Sequence, residues 1–276
     1  MFFTPNAKIN LGLHIVERRP DGYHNLETVF YPIPLYDELK LEAISSDTYP
    51  ERDYLFSSIG TKVDTADEGN LVIKAFRLLQ KYHKFPFRPS ISLLKQIPFG
   101  AGLGGGSSDA AFMLKALNQL YELQLSDDQL CAYASQLGAD CAFFIHNRPL
   151  FAQGIGNEFS EIELNLKGYY MVLVKPDIHV STAEAYANVK PSKPIHDLRE
   201  SLLQPIESWR YNVLNDFESS VFAAHPRIGT IKQLLYDQGA VYASMSGSGA
   251  SVFGIFSHLP TELQGFEKDF VFTAPF

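Results

Sequence analysis

The stretch that decides the fold is Ile97–Asp109, which reads Ile-Pro-Phe-Gly-Ala-Gly-Leu-Gly-Gly-Gly-Ser-Ser-Asp. Alternating apolar residues over Ser90–Lys95 predict a strand before it, and an apolar stripe from Ala110 to Tyr121 predicts a helix after it. Glycine allows positive φ angles and a close approach of the backbone to a ligand. The sequence therefore predicts a strand, a tight glycine-rich turn and a helix that begins at the turn.

The glycine-rich segment has the chemistry of a phosphate site. The first N–H groups of a helix have no intrahelical partner, and the helix dipole places partial positive charge there. Ser107 and Ser108 add hydroxyl donors, and Ser107 is also a candidate ligand for a magnesium ion. We therefore predict that the segment binds a di- or triphosphate. The alternative is a flexible loop without a ligand.

Other nucleotide-binding patterns fail in this context. Gly100, Gly102 and Gly105 satisfy GxGxxG, but a dinucleotide-binding unit would continue with a strand that ends in an acidic residue. Here Leu125–Gln129 leads into a second helix instead. The sequence has no GK[ST] after the glycines and no HRD or DFG motif. The Rossmann, P-loop and protein-kinase classes are therefore excluded.

Strand patterns dominate the first part of the chain, and helix and strand patterns are mixed after it. Strands are predicted over Lys8–Val16, Glu27–Ile33, Glu38–Ala43, Asp53–Ser58, Cys141–Ile145, Tyr169–Val174, Ala240–Ser244, Val252–Phe256 and Phe270–Thr273. Helices are predicted over Leu71–Tyr82 with Asn70 as N-cap, after a capping box at Ser126–Gln129 with Gly138 as its end, over Asn212–Phe222 and over Ile228–Tyr236. Strands and helices do not alternate regularly, which indicates an α+β fold. We predict two domains, a nucleotide-binding domain over 1–156 and a substrate-side domain over 157–276.

Composition excludes several function classes. The 276 residues are 46% hydrophobic and 20% charged, and the formal net charge is -8, so nucleic acid and anionic membranes are not expected partners. No apolar stretch approaches the roughly 18 residues of a membrane span, and residues 1–22 lack the pattern of a signal peptide. Cys131 and Cys141 fit no metal or redox motif and are expected to be reduced thiols. We expect a cytoplasmic protein that binds a small molecule.

Several segments together resemble the GHMP kinase family. Its central motif matches Pro98–Ser108, with two extra glycines. Further matches are Pro5–Leu11, Asp21–His24, Leu137–Asp140 and Ser246–Ala250. The resemblance implies a ribosomal protein S5 domain 2-like N-terminal domain and a ferredoxin-like C-terminal domain. The nucleotide-binding positions that it implies are Pro98, Gly100, Ala101, Gly102, Leu103, Gly104, Gly105, Gly106, Ser107 and Ser108.

The resemblance also implies the reaction and its catalytic residues. The triple glycine is similar to the branch that transfers the γ-phosphoryl group of ATP to the 2-hydroxyl of a cytidyl-linked erythritol, in the non-mevalonate route to isoprenoids. Asp140 would be the base, Lys8 its partner, and Asn10 would orient the substrate. Spacing alone would favour a turn aspartate and a solvated strand lysine. ATP and Mg²⁺ are the expected cofactors, and the metal ligands are left open.

Four residues are implied to bind the acceptor. Tyr23 and His24 would contact the cytosine ring, Thr182 would face the acceptor, and Tyr186 would stack on the other side of the cytosine. The structural alternatives are a Tyr-His pair that packs over the Asp-Gly turn and a capping box at Ser181–Glu184. A strand-joining turn likewise explains the glycines of Ser246–Gly249.

Two alternative functions are also compatible with the sequence. One is another GHMP kinase that acts on homoserine or on a mevalonate derivative, against which the Tyr23-His24 pair argues. The other is a phosphate-binding module without activity, against which the presence of Lys8 and Asp140 argues. Cys141 and Ala142 depart from the Val-Pro that commonly follows the aspartate in relatives, so the local backbone is less constrained. We expect a monomer or a weak homodimer.

Overall fold

The computed structural model describes residues 1–45, 51–61, 67–187 and 189–276. Within these residues it has twelve strands and nine α-helices. The strands are β1 (Phe2–Phe3), β2 (Asn6–Arg18), β3 (His24–Tyr36), β4 (Glu38–Ile44), β5 (Leu55–Gly60), β6 (Arg88–Lys95), β7 (Leu150–Gln153), β8 (Glu158–Glu161), β9 (Tyr170–Lys175), β10 (Tyr242–Met245), β11 (Val252–Phe256) and β12 (Phe270–Pro275). The helices are α1 (Leu71–Gln80), α2 (Gly105–Leu120), α3 (Asp127–Ala134), α4 (Cys141–His146), α5 (Thr182–Ala187), α6 (Leu198–Leu202), α7 (Trp209–Asn212), α8 (Glu218–Ala224) and α9 (Pro226–Asp237).

The chain divides into two compact units. The first contains residues 1–7, 35–99 and 104–148, and the second contains residues 8–34, 100–103 and 149–276. The polypeptide therefore enters the second unit three times, once for only four residues of the glycine-rich segment. The sequence-based boundary at residue 156 describes a division into consecutive domains and stays a prediction.

The first unit has a four-stranded sheet in the order β1-β4-β6-β5. All its pairs are antiparallel except β5 with β6. Helix α1 begins where predicted, because the Asn70 side chain accepts a hydrogen bond of 2.9 Å from the Val72 amide. Its apolar stripe is buried, as an amphipathic helix requires. The predicted capping box of α3 is complete, with Ser126 and Gln129 bonding each other's backbone amides.

The second unit has two four-stranded sheets. One has the order β2-β3-β7-β8 and the other the order β10-β11-β9-β12. Numbered along the chain, the latter order is 2-3-1-4, which is that of a ferredoxin-like sheet. Helices α8 and α9 belong to the core that covers this sheet, with Val221, Ile228, Ile231 and Leu235 buried beside strand residues. The described residues 257–269, between β11 and β12, form no helix.

Three predictions of local structure are wrong. Cys141–Ile145 is not a strand but most of helix α4, because a short, continuous apolar run has the same appearance in a buried helix and a buried strand. Helix α3 ends at Ala134, four residues before Gly138. The helix predicted over Asn212–Phe222 is two helices, α7 and α8, that are separated by residues 213–217.

Candidate active site

The polar residues of β2 form the centre of the candidate site in the second unit. The alternating pattern predicts a half-buried strand, but Lys8, Asn10 and His14 are only 3%, 2% and 7% exposed. Buried polar groups need partners. Lys8 Nζ donates to Asn10 Oδ1 over 2.7 Å and lies 4.9 Å from the centre of the Phe30 ring. The strand therefore buries a charged side chain on the face that the pattern predicts to be solvated.

A chain of hydrogen bonds fixes the amide of Asn10. Its Nδ2 donates to Thr28 Oγ1 over 2.9 Å, and Thr28 Oγ1 donates to the Gly12 carbonyl over 2.5 Å. Since Nδ2 is held by Thr28, Oδ1 must face Lys8. The structure thus assigns Asn10 a contact with Lys8, and its predicted role toward the substrate stays a prediction.

The four residues 100–103 of the glycine-rich segment lie against β2 and against the turn at Ser246–Gly249. The Lys8 amide donates to the Leu103 carbonyl over 3.0 Å, and Ser246 Oγ donates to the Gly102 carbonyl over 3.0 Å. Gly102 has a φ of +73°, and a Cβ there would lie 2.0 Å from the Ser246 carbonyl oxygen. Only glycine fits this close approach, so the structure brings three of the family-like motifs together in one unit.

Asn215 holds the turn at Ser246–Gly249, here called the late turn, and this role was not predicted from the sequence. Its Nδ2 donates to the carbonyls of Met245 and Gly247 over 2.8 and 2.9 Å, and it is 4% exposed. A Cβ on Gly247 would lie 3.5 Å from Asn10 Oδ1, so this turn is adjacent to the Lys8–Asn10 pair. No local pattern around Asn215 indicates this role, because both partners lie at least 30 residues further along the chain.

The first unit contains the start of α2, which follows Gly104. Gly104 has a φ of +70° and provides no side-chain cap, which leaves the amides of the first turn available for a ligand. Gly105 is confined, because a Cβ there would lie 2.9 Å from Ile97 Cγ2 and 3.3 Å from Lys95 Nζ. Ser108 is completely buried, and its hydroxyl has no hydrogen-bond partner among the described residues. Its predicted contribution to nucleotide binding stays a prediction.

A buried ion cluster of Lys95, Asp37 and Asp109 supports the start of α2. Lys95 Nζ contacts Asp109 Oδ2 over 2.6 Å and also contacts Asp37, whose other oxygen accepts from the Gln96 and Ile97 amides. Burial raises the pKa of Asp109 to about 7, an effect that Lys95 opposes and Asp37 increases. Burial lowers the pKa of Lys95, but the two carboxylates outweigh it, so that the net shift is upward. The sequence gives no signal for this cluster beyond the Asp that ends the glycine-rich segment.

Asp140 lies at the N-terminus of α4 rather than at the end of a strand. It is the residue before Cys141 and is half-buried, with helical backbone angles, and its side chain accepts no capping hydrogen bond from the helix amides. The Leu137–Asp140 motif lies near the start of α2, since a Cβ on Gly138 would lie 4.0 Å from Ser107 Oγ. Burial raises the pKa of the Cys141 thiol to about 11, Ser107 lowers it and Asp140 adds to the rise. Ser107 and the Asp140 segment are therefore neighbours within the first unit.

Two of the predicted acceptor-binding aromatic residues meet in the second unit. The rings of His24 and Tyr186 stack with centroids 4.8 Å apart and an angle of 26° between their planes. The Tyr186 ring also makes a T-shaped contact with Phe217, at 4.8 Å between centroids. Tyr23 is 62% exposed, and Thr182 is the exposed first residue of α5. Half of the alternative capping box forms as well, because the Glu184 amide donates to Ser181 Oγ over 3.1 Å.

The predicted site residues thus fall into two groups. The second unit contains Lys8, Asn10, Tyr23, His24, Gly100, Ala101, Gly102, Leu103, Thr182 and Tyr186, and the first contains Pro98, Gly104, Gly105, Gly106, Ser107, Ser108 and Asp140. A meeting of Lys8 with Asp140 stays a prediction. In the described residues no group of three or more His, Cys, Asp and Glu is arranged to hold a metal ion. None of their helices is long and apolar enough to cross a bilayer.

Comparisons with known proteins identify a family and several relatives. The family model described as "GHMP kinases N terminal domain" matches residues 70–148, and the model described as "GHMP kinases C terminal" matches residues 195–264. The 4-diphosphocytidyl-2-C-methyl-D-erythritol kinase of Bacteroides thetaiotaomicron is 57% identical, over 93% of this chain and 92% of the relative.

Solved structures extend the similarity to the whole fold. A crystal structure of 4-(cytidine 5'-diphospho)-2C-methyl-D-erythritol kinase superposes with a TM-score of 0.80 at 31% identity, covering 100% of this chain and 99% of the other. A homoserine kinase from Cytophaga hutchinsonii has a TM-score of 0.70 at 18% identity, covering 98% and 94%, and shares the fold alone. The predicted α+β, two-domain kinase fold is confirmed, and the chain belongs to the GHMP kinase family.

Proposed function

We propose that this chain transfers the γ-phosphoryl group of ATP to the 2-hydroxyl of 4-diphosphocytidyl-2-C-methyl-D-erythritol. A relative named 4-diphosphocytidyl-2-C-methyl-D-erythritol kinase is 57% identical to this chain over 93% of its length. The structural observation that carries the proposal is the hydrogen bond of 3.0 Å from the Lys8 amide to the Leu103 carbonyl. It fixes a buried lysine directly beside the glycine-rich segment.

Phosphoryl transfer depends on positioning and on neutralisation of charge rather than on covalent chemistry by the protein. Lys8 supplies a positive charge, and Asn10 Oδ1 orients its ammonium group through the 2.7 Å hydrogen bond. The amides at the start of α2 and the dipole of that helix supply a second favourable environment for phosphate oxygens. We propose that Asp140 is the general base that accepts the proton of the acceptor hydroxyl.

Magnesium would enter with the nucleotide and neutralise charge on the phosphates. Mg²⁺ usually keeps several waters and uses one or two protein ligands besides the substrate phosphates. The hydroxyl of Ser107, in the first turn of α2 and beside the Asp140 segment, has the right chemistry for one such ligand. Ser107 would therefore be the protein contact of an Mg²⁺ ion that the nucleotide carries.

The acceptor would bind at the stacked pair of His24 and Tyr186. An aromatic surface and an imidazole suit a pyrimidine base, which offers a flat face and a polar edge. Tyr23 is exposed on the adjacent turn and can close over the same base.

We further propose a cytoplasmic location, where ATP is available. We also propose that the protein is a monomer or a weak homodimer, two states that sedimentation velocity would distinguish.

The substrate assignment is tested by offering ATP with the cytidyl acceptor, homoserine or mevalonate in parallel assays. We expect ADP release and a phosphorylated product with the cytidyl acceptor only. A preference for homoserine or mevalonate would overturn the assignment of the acceptor.

The role of Asp140 is tested by Asp140→Asn, with the exposed Asp128→Asn as a matched control. We expect kcat to fall by roughly 10²- to 10⁴-fold in Asp140→Asn, the usual contribution of a general base, while ATP still binds. The control should keep wild-type turnover. If Asp140→Asn turns over at the wild-type rate, the aspartate has no part in the mechanism.

A further inference from the structure

His179 lies outside the family-like motifs. It lies between β9 and α5, and its ring adjoins the glycine-rich segment. A Cβ on Gly100 would lie 2.9 Å from His179 Nδ1 and 3.1 Å from its Cε1. Both residues belong to the second unit. A positive φ of +61° can be adopted by some other residues, so the ring of His179 is a second reason for glycine at position 100.

The backbone around His179 is held in place, whereas the side chain is exposed. On one side the Ile178 amide donates to the Pro176 carbonyl over 2.7 Å, and on the other Val180 is 3% exposed and part of the core. Ser181 then binds the Glu184 amide at the start of α5. A fixed backbone that presents an exposed imidazole to a phosphate-binding segment is the arrangement of a binding residue, because little entropy is lost when the ligand arrives.

We propose that His179 donates a hydrogen bond to a phosphate oxygen held at residues 100–103, an inference that rests on the proposed function. Nδ1 faces Gly100, so Nε2 is the atom that reaches the ligand. Two substrates supply this chemistry, ATP through its triphosphate and the acceptor through its diphosphate. In a chain of net charge -8, a donor at this position adds local attraction for either group.

The test measures binding of four probes by titration calorimetry to wild type and to His179→Ala. ADP and adenosine differ by the nucleotide's phosphates, and CDP and cytidine differ by those of the acceptor. We expect His179→Ala to weaken either ADP or CDP by roughly 10- to 100-fold, the usual strength of a hydrogen bond to a charged group. Neither nucleoside should change. Weaker ADP assigns the contact to ATP, and weaker CDP assigns it to the acceptor.

Two further variants separate this role from a structural one. His179→Gln keeps an N–H donor near the position of Nε2 and should recover most of the lost affinity. The exposed His258→Ala should behave as wild type. Gly100→Ala should displace the ring, so the double variant with His179→Ala should lose no more affinity than Gly100→Ala alone.

Unchanged affinity of His179→Ala for ADP and CDP overturns the proposal, and so does an equal loss for the nucleosides. Wild-type turnover of the cytidyl acceptor is measured alongside. If the wild type turns over and His179→Ala matches it in all four titrations, only the assignment of His179 fails. If the wild type does not phosphorylate that acceptor, the proposed function itself fails.

Discussion

Replacing Gly102 by alanine perturbs the point at which the glycine-rich segment touches the late turn. The substitution forces a side chain into a φ of +73° and places its Cβ 2.0 Å from the Ser246 carbonyl oxygen. The position of the new Cβ is fixed by the backbone at residue 102, and the atom that it meets belongs to the backbone of Ser246. No side-chain rotation can therefore relieve the contact. The hydrogen bond from Ser246 Oγ to the Gly102 carbonyl joins the same two segments and must be displaced with them.

The magnitude follows from two contributions. A left-handed backbone costs an alanine about 1–2 kcal/mol. The overlap with Ser246 resembles the overpacking of a filled core, which costs about 1–3 kcal/mol. We therefore expect Gly102→Ala to lower the free energy of unfolding by about 2–5 kcal/mol, a large share of the roughly 5–15 kcal/mol of a typical domain.

Urea unfolding of three variants separates the two contributions. Gly239→Ala tests backbone strain alone, because Gly239 has a φ of +98° and a Cβ there would meet no atom within 4 Å. Gly106→Ala is the control inside the same segment, since a Cβ there would lie at an ordinary 3.5 Å from Leu71 Cδ1. The reasoning is refuted if Gly102→Ala is no less stable than Gly239→Ala, because the contact with Ser246 would then cost nothing.

Two further predictions concern the first unit. Asn70→Ala should lower the free energy of unfolding by about 1 kcal/mol in a urea titration, because the Val72 amide loses its cap; an unchanged midpoint would contradict this role. The pKa of Asp109 is raised to about 7 in the native state. At a pH between its ordinary value and about 7, the native state therefore keeps a proton that the unfolded chain has released. Stability should therefore fall as the pH rises from about 4 to 7, and this decline should be smaller in Asp109→Asn when unfolding midpoints are compared across that range.

The sequence was sufficient for most elements and for the family-like motifs. Asn70 and the capping box at Ser126 begin helices where their local chemistry predicts, because an N-cap involves residues only two or three positions apart. The glycine-rich segment was predictable for the same reason, since positive φ angles and a helix start are local properties. The run at Cys141–Ile145 failed because its form depends on what covers it.

Long-range polar contacts could not be predicted. Asp37 contacts Lys95 across 58 residues, and Asn215 reaches Gly247 across 32. Nothing in the composition around Asp37 or Asn215 distinguishes them from surface residues. Lys8 is the instructive case, because the pattern of β2 predicts a solvated lysine and the structure buries it. The place where the hydrophobic pattern fails is the place where the candidate site lies, as expected for a functional position.

The glycines of the segment have different causes, and this difference gives the last prediction. Gly100, Gly102 and Gly104 have positive φ angles, and Gly105 leaves room for Ile97 and Lys95. Gly106 has neither reason, since a Cβ there would lie 3.5 Å from Leu71 Cδ1 in an ordinary helical turn.

If the protein itself tolerates a side chain at position 106, the remaining reason for glycine is the ligand. Gly106→Ala should therefore fold at least as stably as wild type, with a gain of up to about 1 kcal/mol from helix propensity. Its KM for ATP should rise by roughly 5- to 150-fold, the equivalent of a methyl group forced against a bound phosphate. A stable variant with wild-type KM for ATP would place the nucleotide away from the first turn of α2. That result would refute the assignment of phosphate binding to this helix.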